Sequence, residues 1–167
     1  MVDLEIHPVQ PAEVPALVEA SGQPGYVRDR LAKQDLDLGV LLAAWLGARA
    51  VGSVYLWLEE PEEPEINQHL PGLPLITHLE VFATADRKRG VGRRLVMTAE
   101  QLLRRRGYSA AVLAVELTNV DAARLYKRLG YQDWGHGLVT CTRSDWLADG
   151  TLKRTPEECA VLVTSLG

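Results

Sequence analysis

A chain of 167 residues, 47% of them hydrophobic, has the size and apolar content of one compact domain, and no tract in it approaches transmembrane length. The formal net charge of -4 excludes a general attraction to phosphate backbones or anionic lipid and leaves only local basic clusters to be weighed. Cys141 and Cys159 are too few for a disulfide framework and are not spaced as a zinc knuckle. Residues 1–5 carry acids where a secretory leader needs basic residues, so a reducing cytoplasm is the expected home.

In chain order, residues 4–9 are expected as a first strand, 11–20 as a short helix with Pro11 in its first turn, and 26–34 as a second helix. Residues 38–46 and 50–58 are rich in Leu, Val, Trp and Tyr and are separated by Gly47, Ala48 and Arg49, the pattern of an antiparallel hairpin. An acidic, proline-bearing loop over 59–74 follows. The second half is a βαβα run: strand 75–82, helix 91–106, strand 110–117 and helix 120–129. Val91, Leu95, Ala99, Leu102 and Leu103 share one face of the long helix, Arg104, Arg105 and Arg106 sit at the negative end of its dipole, and Gly107 ends it. The strand Ala111, Val112, Leu113, Ala114, Val115 lacks alternation, as a strand covered on both faces does. In the last helix Ala122, Leu125, Tyr126 and Leu129 form a stripe, with Asn119 as N-cap and Gly130 as stop. Two further strands, near 138–142 and 160–166, are expected to complete the sheet.

Between strand and long helix stands Arg87, Lys88, Arg89, Gly90, Val91, Gly92, Arg93. Its glycines would let backbone N–H groups approach an anion at the positive end of the helix, as a pyrophosphate seat requires. No Gly-Lys-Ser/Thr follows, so it is not a P-loop, and the glycine spacing is not that of a dinucleotide fingerprint. The same residues also fit a plain glycine turn with solvated arginines.

A second motif joins it. Arg87, Gly90 and Gly92 match the pattern Arg/Gln-x-x-Gly-x-Gly/Ala. A strand and a helix later, Asn119, Ala122, Leu125, Tyr126, Gly130 and Tyr131 match Asn-x-x-Ala-x-x-Leu-Tyr-x-x-x-Gly-Phe/Tyr. Together they make the chain resemble the GNAT superfamily of acyl-CoA N-acyltransferases, most strongly over 75–133. The resemblance implies an α/β fold in one domain spanning 1–167: a central mixed sheet flanked by helices, its fourth and fifth strands splayed around acyl-CoA. By position it assigns pantetheine pairing to main-chain groups around Val81 and Phe82, and the pyrophosphate to residues from Lys88 to Arg93 together with Arg87. Asn119 is placed beside the arm. Family members commonly carry a proline after the fourth strand; here Ala83, Thr84, Ala85 and Asp86 fill the stretch, with one extra residue.

Acetyl transfer to an amine needs a neutral nucleophile, stabilisation of charge on the thioester oxygen and a proton for the departing thiolate. The resemblance places Tyr126 near the sulfur as general acid. From periodicity alone it also fits a core tyrosine. Glu80 in the fourth strand is the candidate base, with Glu116 at the end of the fifth strand as competitor and water as a third option. A backbone N–H near Val81 or Phe82 is the candidate oxyanion donor. No cysteine lies in the motif region, so direct attack in a ternary complex is expected. The implied reaction carries the acetyl group of acetyl-CoA to a small-molecule amine or a peptide N-terminus. A catalytically silent acyl-CoA sensor or scaffold is the alternative.

His78, Leu79, Glu80 opens a zinc deaminase signature, but no Pro-Cys-x-x-Cys follows, and no metal is expected. His7, His69 and His136 are scattered. Nucleic-acid binding through the arginines and membrane association are not expected; the oligomeric state, a homodimer included, is left open. Trp57, just before the acidic loop, is placed to line an acceptor pocket, and Glu59, Glu60, Glu62, Glu63 and Glu65 form either a solvated loop or an attractor for a cationic acceptor.

Overall fold

The computed structural model describes residues 3–87 and 89–167, and of Arg87 the main chain alone. Lys88, expected at the pyrophosphate, and the Arg87 side chain lie outside the described residues. The chain runs β1 (Leu4–Pro8), a 3-10 turn (Pro11–Glu13), α1 (Val14–Ser21), α2 (Pro24–Asp35), β2 (Gly39–Leu46), β3 (Arg49–Trp57) and α3 (Pro64–His69). It continues through β4 (Leu75–Val81), α4 (Thr84–Arg87), α5 (Val91–Arg105), β5 (Ala110–Glu116), α6 (Val120–Arg128), β6 (Gln132–Asp133), β7 (Val139–Trp146) and β8 (Leu152–Ser165).

The sheet has the order β1-β2-β3-β4-β5-β8-β6, with β7 paired to β8. All its pairings are antiparallel except β4 with β5. Successive side chains of a strand point to opposite faces, and a strand sandwiched between helices must be apolar on both. In β2, Leu41, Ala43 and Trp45 pack with Leu17, Tyr26 and Val27 of α1 and α2, whereas Val40, Leu42 and Ala44 pack with Val91, Leu95 and Ala99 of α5. A third cluster, with Ile66, Leu75, Val112, Trp134 and Val161, fills the space beneath α3 and β7. Leu95 and Leu103 are completely buried, and each such side chain stabilises the fold by about 1.5–3 kcal/mol.

Three expectations change. The 59–74 stretch is not all loop: Pro64 at the first helical position starts α3, and Ile66 anchors it in the core at 0% exposure. The stretch in place of the proline folds as the helical turn α4. The last two strands are longer than their apolar cores, because the polar ends pair with each other from Thr142 opposite Pro156 to Trp146 opposite Leu152. The short β6, pairing Gln132 and Asp133 with β8, was not expected at all. Among the described residues no helix is long and apolar enough to cross a membrane.

Candidate functional site

β4 and β5 meet at one register pair among the described residues, Leu75 with Val112, beside Val112 N–H donating to Pro74 O at 3.0 Å. Beyond it they diverge, while β4 stays paired with β3 as far as Val81 opposite Gly52. Between the pairs Tyr55–Thr77 and Ser53–Glu80 the register slips, so that His78 and Leu79 together oppose Val54. His78 takes a φ of 52°, which for a residue with a Cβ costs about 1–3 kcal/mol. Past this bulge, Phe82 N–H donates to Val51 O at 3.0 Å. Successive residues of a strand turn their main-chain groups to opposite edges, so Val81 turns its N–H and C=O toward the side from which β5 has withdrawn.

The N-terminus of α5 lies beside this opening. Gly90 caps the helix at a φ of 74°, and the first helical bond runs from Arg94 N–H to Gly90 O at 3.1 Å. The N–H groups of Val91, Gly92 and Arg93 precede that bond and carry the positive end of the helix dipole. α6 forms the opposite bank, its own start capped by Asn119, whose Oδ1 accepts from Ala122 N–H at 3.2 Å. The cleft between the banks has a volume of about 660 Å³; β4 contributes Leu79, Glu80 and Val81, the glycine loop Gly90, Gly92 and Arg93, and α6 Ala122, Leu125 and Arg128, with Asn119 beside them.

Asp86 shapes the glycine loop. Its carboxylate is 3% exposed and lies 3.0 Å from Arg49 Nη1 and 3.9 Å from Arg89 Nη1. A buried carboxylate is tolerable only when paired, so Asp86 ties α4 to the start of β3 and to the loop that follows. Arg89, expected at the pyrophosphate, is directed in part toward this clamp.

Glu80 occupies the junction between the cleft and the opposite face. Gln23 Nε2 donates to both its carboxylate oxygens, at 3.2 and 3.0 Å, and His78 Nε2 lies 3.3 Å from Oε2. The His78 ring stacks on Tyr26 at 4.2 Å. Glu80 also lines a second cavity, of about 340 Å³, with Gln23, Tyr26, His78 and Trp146. That cavity shares Tyr26, His78 and Ser144 with a third, of about 220 Å³, reached by Trp57, Glu62, Glu63, Glu116 and Glu157. The hairpin of β7 and β8 walls both: Trp146 meets Tyr26 edge-on at 5.7 Å, and Arg154 pairs with Glu62.

The structure thus gathers Glu80, Val81, Gly90, Gly92, Arg93 and Asn119 around one cleft. Phe82 is not with them: its N–H is held by Val51 and its side chain packs in the cluster on the α1 and α2 side, so it is a poor oxyanion donor. The Val91 side chain is core, leaving only its main chain to the cleft. Tyr126 follows Leu125 on α6 but is 7% exposed, outside the cleft lining, and edge-on to Tyr131 at 5.9 Å. Burial pushes its phenol up to about 12, so it stays protonated at neutral pH. Glu116 lines the third cavity and not the cleft. Gln23, Tyr26 and Trp146 escaped sequence reasoning, and His78 stood out only as the start of a zinc signature, because three separate segments supply the four and no local pattern links them. Among the described residues no group of three or more His, Cys, Asp or Glu could hold a metal.

The sequence matches the acetyltransferase (GNAT) family over residues 13–131. The chain belongs to this GNAT family. No curated protein matches it by sequence. Solved structures similar to it include a probable acetyltransferase from Staphylococcus epidermidis, 12% identical with a TM-score of 0.71 over 98% of this chain and 99% of that one. The ribosomal-protein-S18-alanine N-acetyltransferase from Escherichia coli is 13% identical, with a TM-score of 0.66 over 99% of this chain and 95% of that one. PaiA N-acetyltransferase from Thermoplasma acidophilum, solved in complex with coenzyme A, is 11% identical, with a TM-score of 0.64 over 98% and 99%. At these identities the likeness is one of fold, and the mixed α/β sheet of this GNAT chain, with parallel β4 and β5 flanked by helices, is the expected one.

Proposed function

We propose that this GNAT chain, acting as a single domain over 1–167, transfers the acetyl group of acetyl-CoA to an amine, a small molecule or a peptide N-terminus, by direct attack in a ternary complex. The observation that carries the reading is the opening between β4 and β5, with a cleft on one side, an acceptor cavity on the other and Glu80 lining both. The residues fit acetyl-CoA: a Cβ at Gly90 would meet nothing within 4 Å, the first-turn N–H groups of α5 and Arg93 suit a pyrophosphate, and Val81 offers main-chain groups to an amide-bearing arm. When bound, acetyl-CoA supplies an activated thioester.

Glu80 takes the proton from the incoming ammonium, held in place by Gln23 and His78. It is preferred to Glu116 because Glu116 does not reach the cleft lining. Val81 N–H, not that of Phe82, is the proposed donor to the thioester oxygen. Tyr126, protonated at neutral pH, returns a proton to the thiolate, and the burial that raises its pKa to about 12 makes it a weaker acid than a free phenol. The burial of Tyr126 outside the cleft lining favours the second reading, a silent acyl-CoA sensor. Free-thiol release from acetyl-CoA over a panel of amines and peptides, run beside calorimetry, tests both. Binding with turnover is expected; binding without turnover on any acceptor selects the sensor.

A further inference from the structure

The acceptor side carries more negative charge than its own cations neutralise. Arg30 is paired with Asp29 at 2.7 Å and sits over the rings of Tyr26 and Tyr55, 5.0 and 4.7 Å from their centres. Arg143 spans Asp145 and Glu157, each at 3.1 Å, and Glu62 is paired with Arg154. Glu63, from the segment before α3, and Glu116, at the end of β5, line the same cavity with no cationic partner among the described residues. Burial first, then Glu62 and Glu65, raises the pKa of Glu63, as expected of a carboxylate short of a counterion.

A separate observation also points to a ligand. Tyr26 is 4% exposed and lines both this cavity and the one that holds Glu80, and its hydroxyl is buried without a hydrogen-bond partner. Buried hydroxyls are satisfied in most folds, and this one belongs to a residue that forms a wall common to both cavities, with Arg30 as its charged neighbour. The wall of the cavity that holds the two carboxylates also includes Leu75 and Ala114, suited to a methylene chain.

We propose that the acceptor is a small amine bearing a second cationic group: the reacting amine lies beside Glu80, and the distal cation is met by Glu63 and Glu116. This rests on the acetyl-transfer reading. The acyl C–N bond forms as the C–S bond breaks; of the two protons the reacting ammonium loses, one leaves through Glu80 to solvent and the other balances the proton taken up by the thiolate, so the product keeps only its distal charge.

The test compares diaminobutane, butylamine and aminobutanoate as acceptors for the full chain with acetyl-CoA. Diaminobutane should exceed butylamine in kcat/KM by roughly tenfold or more, with aminobutanoate last. The advantage should shrink as salt is raised. Glu63→Gln should remove most of it while leaving the butylamine rate and acetyl-CoA affinity unchanged, and Glu116→Gln should also reduce the advantage. Equal kcat/KM for diaminobutane and butylamine, in a chain that acetylates both, overturns the proposal and leaves acetyl transfer standing. So does a diamine advantage that survives both substitutions. Absence of thiol release with every amine, despite bound acetyl-CoA, removes the reading beneath it as well.

Discussion

The side-chain amide of Gln23 donates to both carboxylate oxygens of Glu80 from 57 positions earlier in the chain, at 3.2 and 3.0 Å. Gln23 stands just before α2, and Glu80 follows the bulge in β4, so the first helical layer positions the proposed base on the sheet. Glu80→Gln should lower kcat by roughly 10²-fold to 10⁴-fold with little change in acetyl-CoA affinity, the range for loss of a general base. Gln23→Ala should lower kcat by about tenfold, since it releases the carboxylate without removing it. Steady-state kinetics beside calorimetry read both, and a full-rate Glu80→Gln enzyme with chemistry rate-limiting would move the base elsewhere.

Tyr126→Phe keeps the ring that packs against Tyr131 and removes the proton. Turnover should fall by roughly 10²-fold to 10⁴-fold in kcat while binding survives. The loss should be smaller with a donor whose leaving thiol has a lower pKa, because that thiolate departs unprotonated. Because burial raises the phenol to about 12, its ionisation should cause no loss of rate below about pH 10. A variant that turns over at nearly the wild-type rate makes Tyr126 a core residue only.

Glycines at the cleft separate backbone need from ligand space. A Cβ on Gly92 would meet Leu125, Leu79 and Val81 at 3.6–3.8 Å, ordinary contacts, so Gly92→Ala should fold normally. Gly92→Glu and Gly90→Glu should abolish acetyl-CoA binding, by placing bulk and negative charge where the pyrophosphate is expected. Gly90→Glu should also cost about 1 kcal/mol or more of stability, because φ is 74° there. Calorimetry and thermal unfolding distinguish the two effects; undiminished affinity in a folded variant would move the phosphate seat.

Gly25 at the start of α2 leaves room for Trp146: a Cβ there would lie 2.7 Å from Trp146 Cβ and 2.8 Å from its Cγ. Gly25→Ala should push the β7–β8 hairpin off α2 and lower stability by about 1–3 kcal/mol, the usual cost of overpacking. Because Trp146 lines the cavity beside Glu80 and not the cleft, kcat/KM for the amine should fall while acetyl-CoA affinity holds. Equal losses in both would mean that the hairpin supports the whole site.

Much of this protein was legible locally. Periodicity marked α5 and α6, the unbroken apolar runs marked β2, β3 and β5, and the glycines and Asn119 marked helix ends, because each depends on neighbours within a few residues. The two motifs also located both banks of the cleft: Gly90, Gly92 and Arg93 at the start of α5, and Asn119 with Ala122 and Leu125 at the start of α6 and along it.

What the tertiary structure alone decided lies between segments. The register slip at His78 and Leu79 depends on how β4 pairs with β3, and it determines which edge Val81 faces; a count along the chain placed Phe82 beside it as an equal. Where family members commonly carry a proline, this chain forms the helical turn α4, tied to the start of β3 by the pair of Asp86 with Arg49. Glu63 and Glu116, read one as part of an acidic loop and the other as a rival base, share a cavity only because β5 diverges from β4 and the β7–β8 hairpin closes over the gap. Charge along a sequence says how many carboxylates there are; which of them lack a counterion is settled by packing, where Arg143 and Arg154 reach some and not others.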